Sequence, residues 1–406
     1  MADKEIVMDE RLHDYLRAYA KSIRLGAPRI LITEGTNKGD NYVSSVYRVT
    51  IEGIGDGGAK KIQLILKTTQ NDAIPLLTTS KVTKMFQREM FFYQEVWPIF
   101  TETLKGRGGV ADRFPILHDV NDESGKEIIM LENLTPRGFV MAKSKILDYP
   151  HLRLAFRCLG EFHAYSFITR YANPKSFEKL KGMEENLFVE QPETVDEEII
   201  RKKFLKGLTD LVFTALENED KHYSERYQRF VDNMLSDMID ATDGKAAEPY
   251  TVVNHGDCWT NNMLFKYDQA NNPCDLRFVD LQICRYASPV LDLVYILFCC
   301  CTHETRSKYY DQVVHEYYET LSKCIKRAGY DPNILFPYEA LCQHFLKFGK
   351  FAAGMATYTT HIFTSNDVEL KITHDNKILQ ERIQNDSFYR NMLRCTFKDL
   401  VDRNYI

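Results

Sequence analysis

The sequence predicts an α+β chain in two lobes, a small β-rich one over residues 1–133 and a larger, mainly helical one over residues 134–406. Up to about residue 133, short apolar and β-branched runs alternate with turn-rich segments. Beyond it, apolar residues recur mostly at helical spacing over long stretches. The chain has 406 residues, enough for two or three structural units. It shows neither an internal repeat nor a low-complexity linker.

The first element is an amphipathic helix over Asp9–Tyr19, with Leu12, Tyr15, Leu16 and Tyr19 on one side. A short apolar run, Arg29–Thr33, precedes the turn-rich loop Gly35–Asn41. Tyr42–Ile51 reads as a strand, Gly53–Gly58 as a glycine-rich connection, and Lys61–Lys67 as the next strand. Lys81–Phe100 has an apolar side formed by Met85, Phe86, Met90, Tyr93 and Val96 or Trp97, and Pro98 is placed to end that helix. Strands follow at Phe114–Val120 and Glu127–Leu131, and Glu132–Pro136 reads as a linker. In the second lobe, long helices are expected from Pro150 to about Tyr171, over Glu197–Phe230 and over Ser307–Ala328. The exception is a β-rich stretch with runs at Tyr250–Asn254, Met263–Tyr267 and Leu276–Leu281.

The bulk chemistry excludes several classes. A net charge of −5 lacks the basic excess of a nucleic-acid binder. The longest apolar stretch, Val290–Cys301, contains Asp292 and falls short of the roughly 20 residues a membrane span needs. No apolar signal-peptide core follows the initial Met, so a cytoplasmic protein is expected. Ten cysteines are scattered without C-x-x-C or zinc-finger spacing. Buried thiols in a reducing compartment account for them.

The segment richest in chemistry is Asn254-His-Gly-Asp-Cys-Trp-Thr-Asn-Asn262, an H-x-D triplet with Asn262 five residues after Asp257. Kinase catalytic loops need this spacing because one short loop must orient the acceptor hydroxyl and also ligate the metal. Asp257 is the candidate for the first task and Asn262 for the second, with Asn261 as the adjacent alternative. Asp280 follows the apolar run Leu276–Val279, eighteen residues after Asn262. It is a second candidate ligand, because Mg²⁺ prefers hard oxygens and takes one or two carboxylates. Lys67 is the one cation in Leu64-Ile-Leu-Lys67, and Glu89 on the following helix is its candidate partner. A strand Lys held by a helix Glu grips nucleotide phosphates in kinases, and Gly35–Asn41 would cover those phosphates with backbone N–H groups. Taken singly, each residue has an ordinary structural explanation. Their order along the chain is what points to a kinase.

HGDCWTNNMLF followed by FVDLQ resembles the ecdysteroid kinase-like family of insects, also called CHK kinase-like, which is related to choline kinases and aminoglycoside phosphotransferases. The resemblance covers nearly the whole chain and implies a bilobal protein-kinase-like fold. It implies that Gly35, Gly39 and Asn41 belong to the phosphate loop. Phe86-x-x-Glu89-x-x-Phe92-Tyr93 resembles the family's signature on the helix after the Lys strand. Leu131-Glu132-Asn133-Leu134 is similar to the interlobe hinge, so backbone groups at Glu132 and Leu134 are implied to bind adenine. Leu159-Gly160-x-Phe162-His163 matches a helical motif, and Pro289-Val-Leu-Asp292-Leu the segment after the metal carboxylate; His163 and Asp292 are expected to be structural. The cofactors implied are ATP and Mg²⁺, and the acceptor is an alcohol such as an ecdysteroid or another steroid or foreign compound. Gln282 stands where protein kinases carry the Gly of D-F-G, and no A-P-E segment follows Asp280, which argues against a protein kinase. Two other readings compete: a kinase for choline or an aminoglycoside, and a binding protein on a dead kinase fold. The presence of Lys67, Asp257 and Asp280 ranks the dead-fold reading low.

Overall fold

The computed structural model describes residues 9–35, 44–69, 79–183, 194–365 and 375–406. Contacts divide the chain into two units, residues 1–90 with 114–139, and residues 91–113 with 140–406.

The first unit is built on a five-stranded antiparallel sheet of order β1-β2-β3-β5-β4. Its strands are β1 (Gly26–Glu34), β2 (Ser44–Gly55), β3 (Gly58–Thr69), β4 (Leu117–Asn121) and β5 (Ile128–Glu132). Side chains alternate faces along a strand. Val49 and Ile51, Leu64 and Leu66, and Ile128 and Met130 therefore share one face, where they pack with Leu12, Leu16 and Tyr19 of helix α1 (Glu10–Ser22). Asp9 caps α1, its carboxylate accepting from Arg11 N–H. Lys67 has the opposite parity and leaves the sheet on the other face, where helix α2 (Thr79–Phe91) supplies Glu89.

The strands differ from the sequence reading at their ends. The Gly53–Gly58 connection is mostly strand: β2 and β3 pair from Gly55↔Gly58 onward, leaving a two-residue turn. Glu132 closes β5 rather than opening a linker, and Phe114–Ile116 precede β4. Pro98 does not end its helix. The chain widens into one π turn, Phe92–Val96, whose Trp97 N–H reaches back to Phe92 O. Helix α3 (Trp97–Leu104) then continues with Pro98 in its first turn, where the missing N–H costs little.

The second unit is mainly helical. Helix α4 (Tyr149–Ala172) packs along α10 (His303–Arg327), and a Cβ on Gly160 would lie 2.5 Å from Tyr317 O, so glycine permits this approach. The stretch Glu197–Phe230 is two helices, α6 (Val195–Leu216) and α7 (Lys221–Thr242), because Asp220 caps a fresh start. Two small β elements interrupt the helices. A hairpin of β8 (Met263–Tyr267) and β9 (Pro273–Phe278) carries β6 (Val140–Met141) at its edge, and β7 (Val252–Asn254) pairs with β10 (Arg285–Ala287). The apolar helix α9 (Val290–Cys299) is buried along its length and packs against α13 (Phe351–Phe363). Among the described residues no helix is long and apolar enough to cross a membrane. All ten cysteines are free thiols. The α+β class thus holds as expected, an antiparallel sheet unit followed by a helical one.

Candidate functional site

In the first unit, Lys67 Nζ lies 2.5 Å from Glu89 Oε2, with Lys67 6% and Glu89 1% exposed. Burial of both charges makes each dependent on the other, since an isolated ion in a protein interior is costly. At the other end of the loop region, Gly35 N–H donates to Val46 O at 2.8 Å, and a Cβ on Gly35 would meet that oxygen at 2.6 Å. Any larger residue would push the loop off its strand. Gly39 and Asn41 lie outside the described residues.

Glu132 and Leu134 are placed by the end of β5. Glu132 donates its N–H to Ile116 O at 2.8 Å, and its carboxylate accepts from Arg137 Nη1 at 3.1 Å. Leu134 is buried, and its carbonyl caps the short turn Thr135–Arg137 by accepting from Arg137 N–H. Among the described residues, the Leu134 N–H makes no hydrogen bond.

In the second unit, the loop after β7 is held from behind by Asp292. The Asp292 carboxylate accepts from His255 N–H at 2.7 Å, from Gly256 N–H at 2.9 Å and from His163 Nε2 at 3.2 Å. His163 is fixed in turn by the Tyr317 hydroxyl, 2.9 Å from Nδ1. Burial alone would raise the Asp292 pKa, but the His163 and Gly256 donors bring it below the ordinary carboxylate value. Gly256 turns the chain at φ +88°, where a Cβ would collide with Ile283 O at 2.0 Å. His255 Nε2 donates to Val279 O at 3.0 Å, and burial keeps its pKa below the usual histidine value.

A depressed pKa in the folded state means that Asp292 stabilises the fold above the ordinary carboxylate pKa and loses that contribution as pH falls through its folded value. Asp292→Asn is therefore expected to reduce stability at pH 7 by about 1–3 kcal/mol, the typical cost of spoiling a hydrogen-bonded charge. It should also weaken the acid dependence of unfolding. Denaturant melts from pH 7 to pH 3 check both, and an unchanged midpoint at pH 7 would contradict the bracing role.

Asp257 is presented by this loop. Its Oδ1 accepts from the Tyr295 hydroxyl at 3.1 Å and its Oδ2 from Asn262 Nδ2 at 2.9 Å. Asn262 Nδ2 also donates to the Asp257 carbonyl at 3.0 Å. Both amide hydrogens of Asn262 are thus spent on Asp257, and its Oδ1 is the end left for another partner. Of the two adjacent asparagines, it is Asn262 that meets Asp257. The β8–β9 hairpin explains the spacing to Asp280. Met263 pairs with Phe278 across it, and Val279 N–H donates to Asn262 O at 3.0 Å, so the two strand ends return to one place. Asp280 lies two residues past β9, not at the end of the strand as the apolar run implied, and has φ +67°. A non-glycine residue there is strained, and such strain concentrates at functional positions.

The donors of Asp257, Asp280 and Asn262 suit Mg²⁺ in kind. Two carboxylates and one amide oxygen are hard ligands of the kind the ion takes. Burial first, and then the nearby Asp280 charge, push the Asp257 pKa up to about 7. Carboxylates that repel one another favour either a proton on one of them or a cation between them. No cluster of three or more His, Cys, Asp or Glu suited to a metal occurs among the described residues, so the fit depends on Asn262 as well as the acids. Sequence reasoning missed Tyr295. Its signal was a tyrosine in an apolar helix one turn after Asp292, which puts both on the same side of α9.

These features define a small-molecule kinase-like protein. The family model described as the ecdysteroid kinase-like family matches residues 38–330, and the chain belongs to that family of small-molecule kinases. No curated protein matches it. Among solved structures, it is similar to the GDP complex of wild-type aminoglycoside 2'-phosphotransferase-IIIa, at 12% identity and a TM-score of 0.41, covering 97% of this chain and 99% of that one. It is also similar to a Ralstonia eutropha protein provisionally assigned as an aminoglycoside phosphotransferase, at 10% identity and a TM-score of 0.39, covering 96% and 98%. A Haemophilus somnus protein provisionally assigned as a fructosamine-3-kinase matches at 11% identity and a TM-score of 0.33, covering 89% and 96%.

Proposed function

We propose that the protein transfers the γ-phosphate of ATP to a hydroxyl of an apolar small molecule, an ecdysteroid or a similar steroid or foreign alcohol. In this reading residues 1–133 form the nucleotide-binding lobe and 134–406 the catalytic lobe, in the cytoplasm. The observation that carries it is the Asp257 carboxylate, held at both oxygens by Tyr295 and Asn262 on a loop that Asp292 braces.

Asp257 orients the acceptor hydroxyl and takes its proton late in the transfer. Asn262 Oδ1 and Asp280 would hold Mg²⁺, which neutralises phosphate charge when bound. Lys67, kept in place by Glu89, binds the phosphates. Gly35, Gly39 and Asn41 belong to the loop that covers them, and Glu132 and Leu134 offer backbone groups to adenine. Most of the acceleration comes from alignment and fixed charge.

The test is ADP release by the purified protein with Mg²⁺, ATP and an ecdysteroid. Asp280→Ala should weaken Mg·ATP binding and lower turnover about a hundredfold or more, as loss of a transition-state electrostatic group does. A magnesium dependence identical to that of the unaltered protein would remove Asp280 from the metal site. No ADP release with any alcohol, while nucleotide still binds, would favour the dead-fold binding reading.

A further inference from the structure

Helices α4 and α10 run side by side in the same direction, since Tyr149 meets Gln312, Arg153 meets Glu316 and Gly160 lies against Leu321. Along that line of contact lies a groove of about 620 Å³, within the second unit and walled by polar side chains of both helices. Three carboxylates line it, and each has a cation. Glu316 lies 2.6 Å from Arg153, Glu319 3.0 Å from Lys323, and Glu161 2.6 Å from Arg113. Two guanidiniums in the lining are not matched in this way. Among the described residues, Arg157 makes no hydrogen bond or ion pair, and the side chain of Arg327 meets only the Cys324 thiol, 3.9 Å from Nη2. Burial pushes the pKa of that thiol up to about 11, so it is neutral and offers no charge. A cation in the last turn of α10 complements the helix dipole, but Arg157 stands in the middle of α4 and has no such role. Arg327 is also held in place: Gly108, at φ +97°, packs on its stem so closely that a Cβ there would lie 2.4 Å from Nε.

We propose that this groove docks an extended acidic segment of a partner protein, with one carboxylate on Arg157 and another on Arg327. Arginine forks take carboxylates bidentately, and arginine clusters recognise acidic motifs in this way. The spacing follows from the helices. Arg157 precedes Gly160 by three residues, and Arg327 follows Thr320, the neighbour of Gly160 on α10, by seven. At 1.5 Å per residue the two arginines are roughly 15 Å apart along the groove. An extended chain rises about 3.3 Å per residue, so the two acids of the segment stand about four or five positions apart. Glu161 and Glu319 lie between the arginines, so a ligand charged along its whole length, such as a polyphosphate, meets two carboxylates in the middle. A peptide can place uncharged residues there. A single phosphate would leave most of the groove empty. None of these residues belongs to the transfer site, so the docking is independent of the kinase reading.

The experiment is a fluorescence anisotropy titration of the full chain at low ionic strength, with a labelled glycine–serine peptide carrying two glutamates five positions apart. A second peptide of the same composition has its glutamates adjacent. The spaced peptide is expected to bind about tenfold more tightly than the adjacent one, because only it reaches both arginines. Arg157→Gln and Arg327→Gln should each weaken its binding about tenfold, the loss of one modest contact. Added salt should weaken it too, since both arginines are exposed. Glutamine suits a helix, so the circular dichroism of both variants should match that of the unaltered protein. Equal affinity for the two peptides, an affinity untouched by both substitutions, or no binding at all overturns the proposal. Pyrophosphate is the remaining arm. If it displaces the peptide, binds more tightly than the peptide does and loses affinity in the same two variants, the groove is a phosphate site and the peptide proposal falls.

Discussion

Asp257→Asn is expected to lower phosphoryl transfer about a thousandfold, within the usual range for losing a general base, while Mg·ATP still binds. The amide is nearly isosteric and can keep the Tyr295 donor at one end. It cannot accept the acceptor's proton, and its NH2 would face Asn262 Nδ2, itself a donor. Single-turnover measurement of ADP formation, with nucleotide affinity taken in parallel, separates the two effects. A variant that turns over normally would exclude Asp257 as the group that orients and deprotonates the hydroxyl. A variant that loses nucleotide affinity as well would show that the carboxylate acts mainly on the metal. The effect should fall on kcat, because the interaction is made in the transition state rather than in the bound substrate.

How far the sequence could be read depended on the range of each interaction. The alternation in β2, β3 and β5 is local, so the sheet and its buried face were legible from Val49, Ile51, Leu64 and Leu66. The Asp257–Asn262 spacing was legible because five residues of one loop close on themselves. Asp280 lies two residues beyond its strand rather than at its end, because an apolar run does not show where a strand stops and the chain enters a left-handed turn. The π turn before Pro98 was illegible for a similar reason: proline announces a lost donor, not how the preceding turn absorbs it. The stacking of Phe363 on Trp259 was beyond reach, since it joins segments that only the fold brings together. Spacing along one element carries such information, and packing between distant elements does not.

Lys67→Met is expected to destabilise the first unit by about 3–5 kcal/mol, because it strands the Glu89 carboxylate in a buried place without its cation. Glu89 is 1% exposed, so water cannot take over the role of the ammonium. The double change Lys67→Met with Glu89→Leu removes both charges and fills the space with apolar atoms, and should recover most of that stability. It should recover no activity if Lys67 grips phosphate. Thermal and denaturant unfolding of the three proteins gives the coupling energy between the two sites, and nucleotide affinity measured on the same samples gives the functional half. Additive losses would mean that the 2.5 Å contact contributes little to the fold. Full nucleotide affinity in the stable double variant would mean that the pair is structural alone. The expected outcome, stability restored and affinity not, distinguishes an ion pair kept to hold a ligand from one kept to hold the fold, since replacing a buried pair by well-packed apolar groups need not weaken a fold.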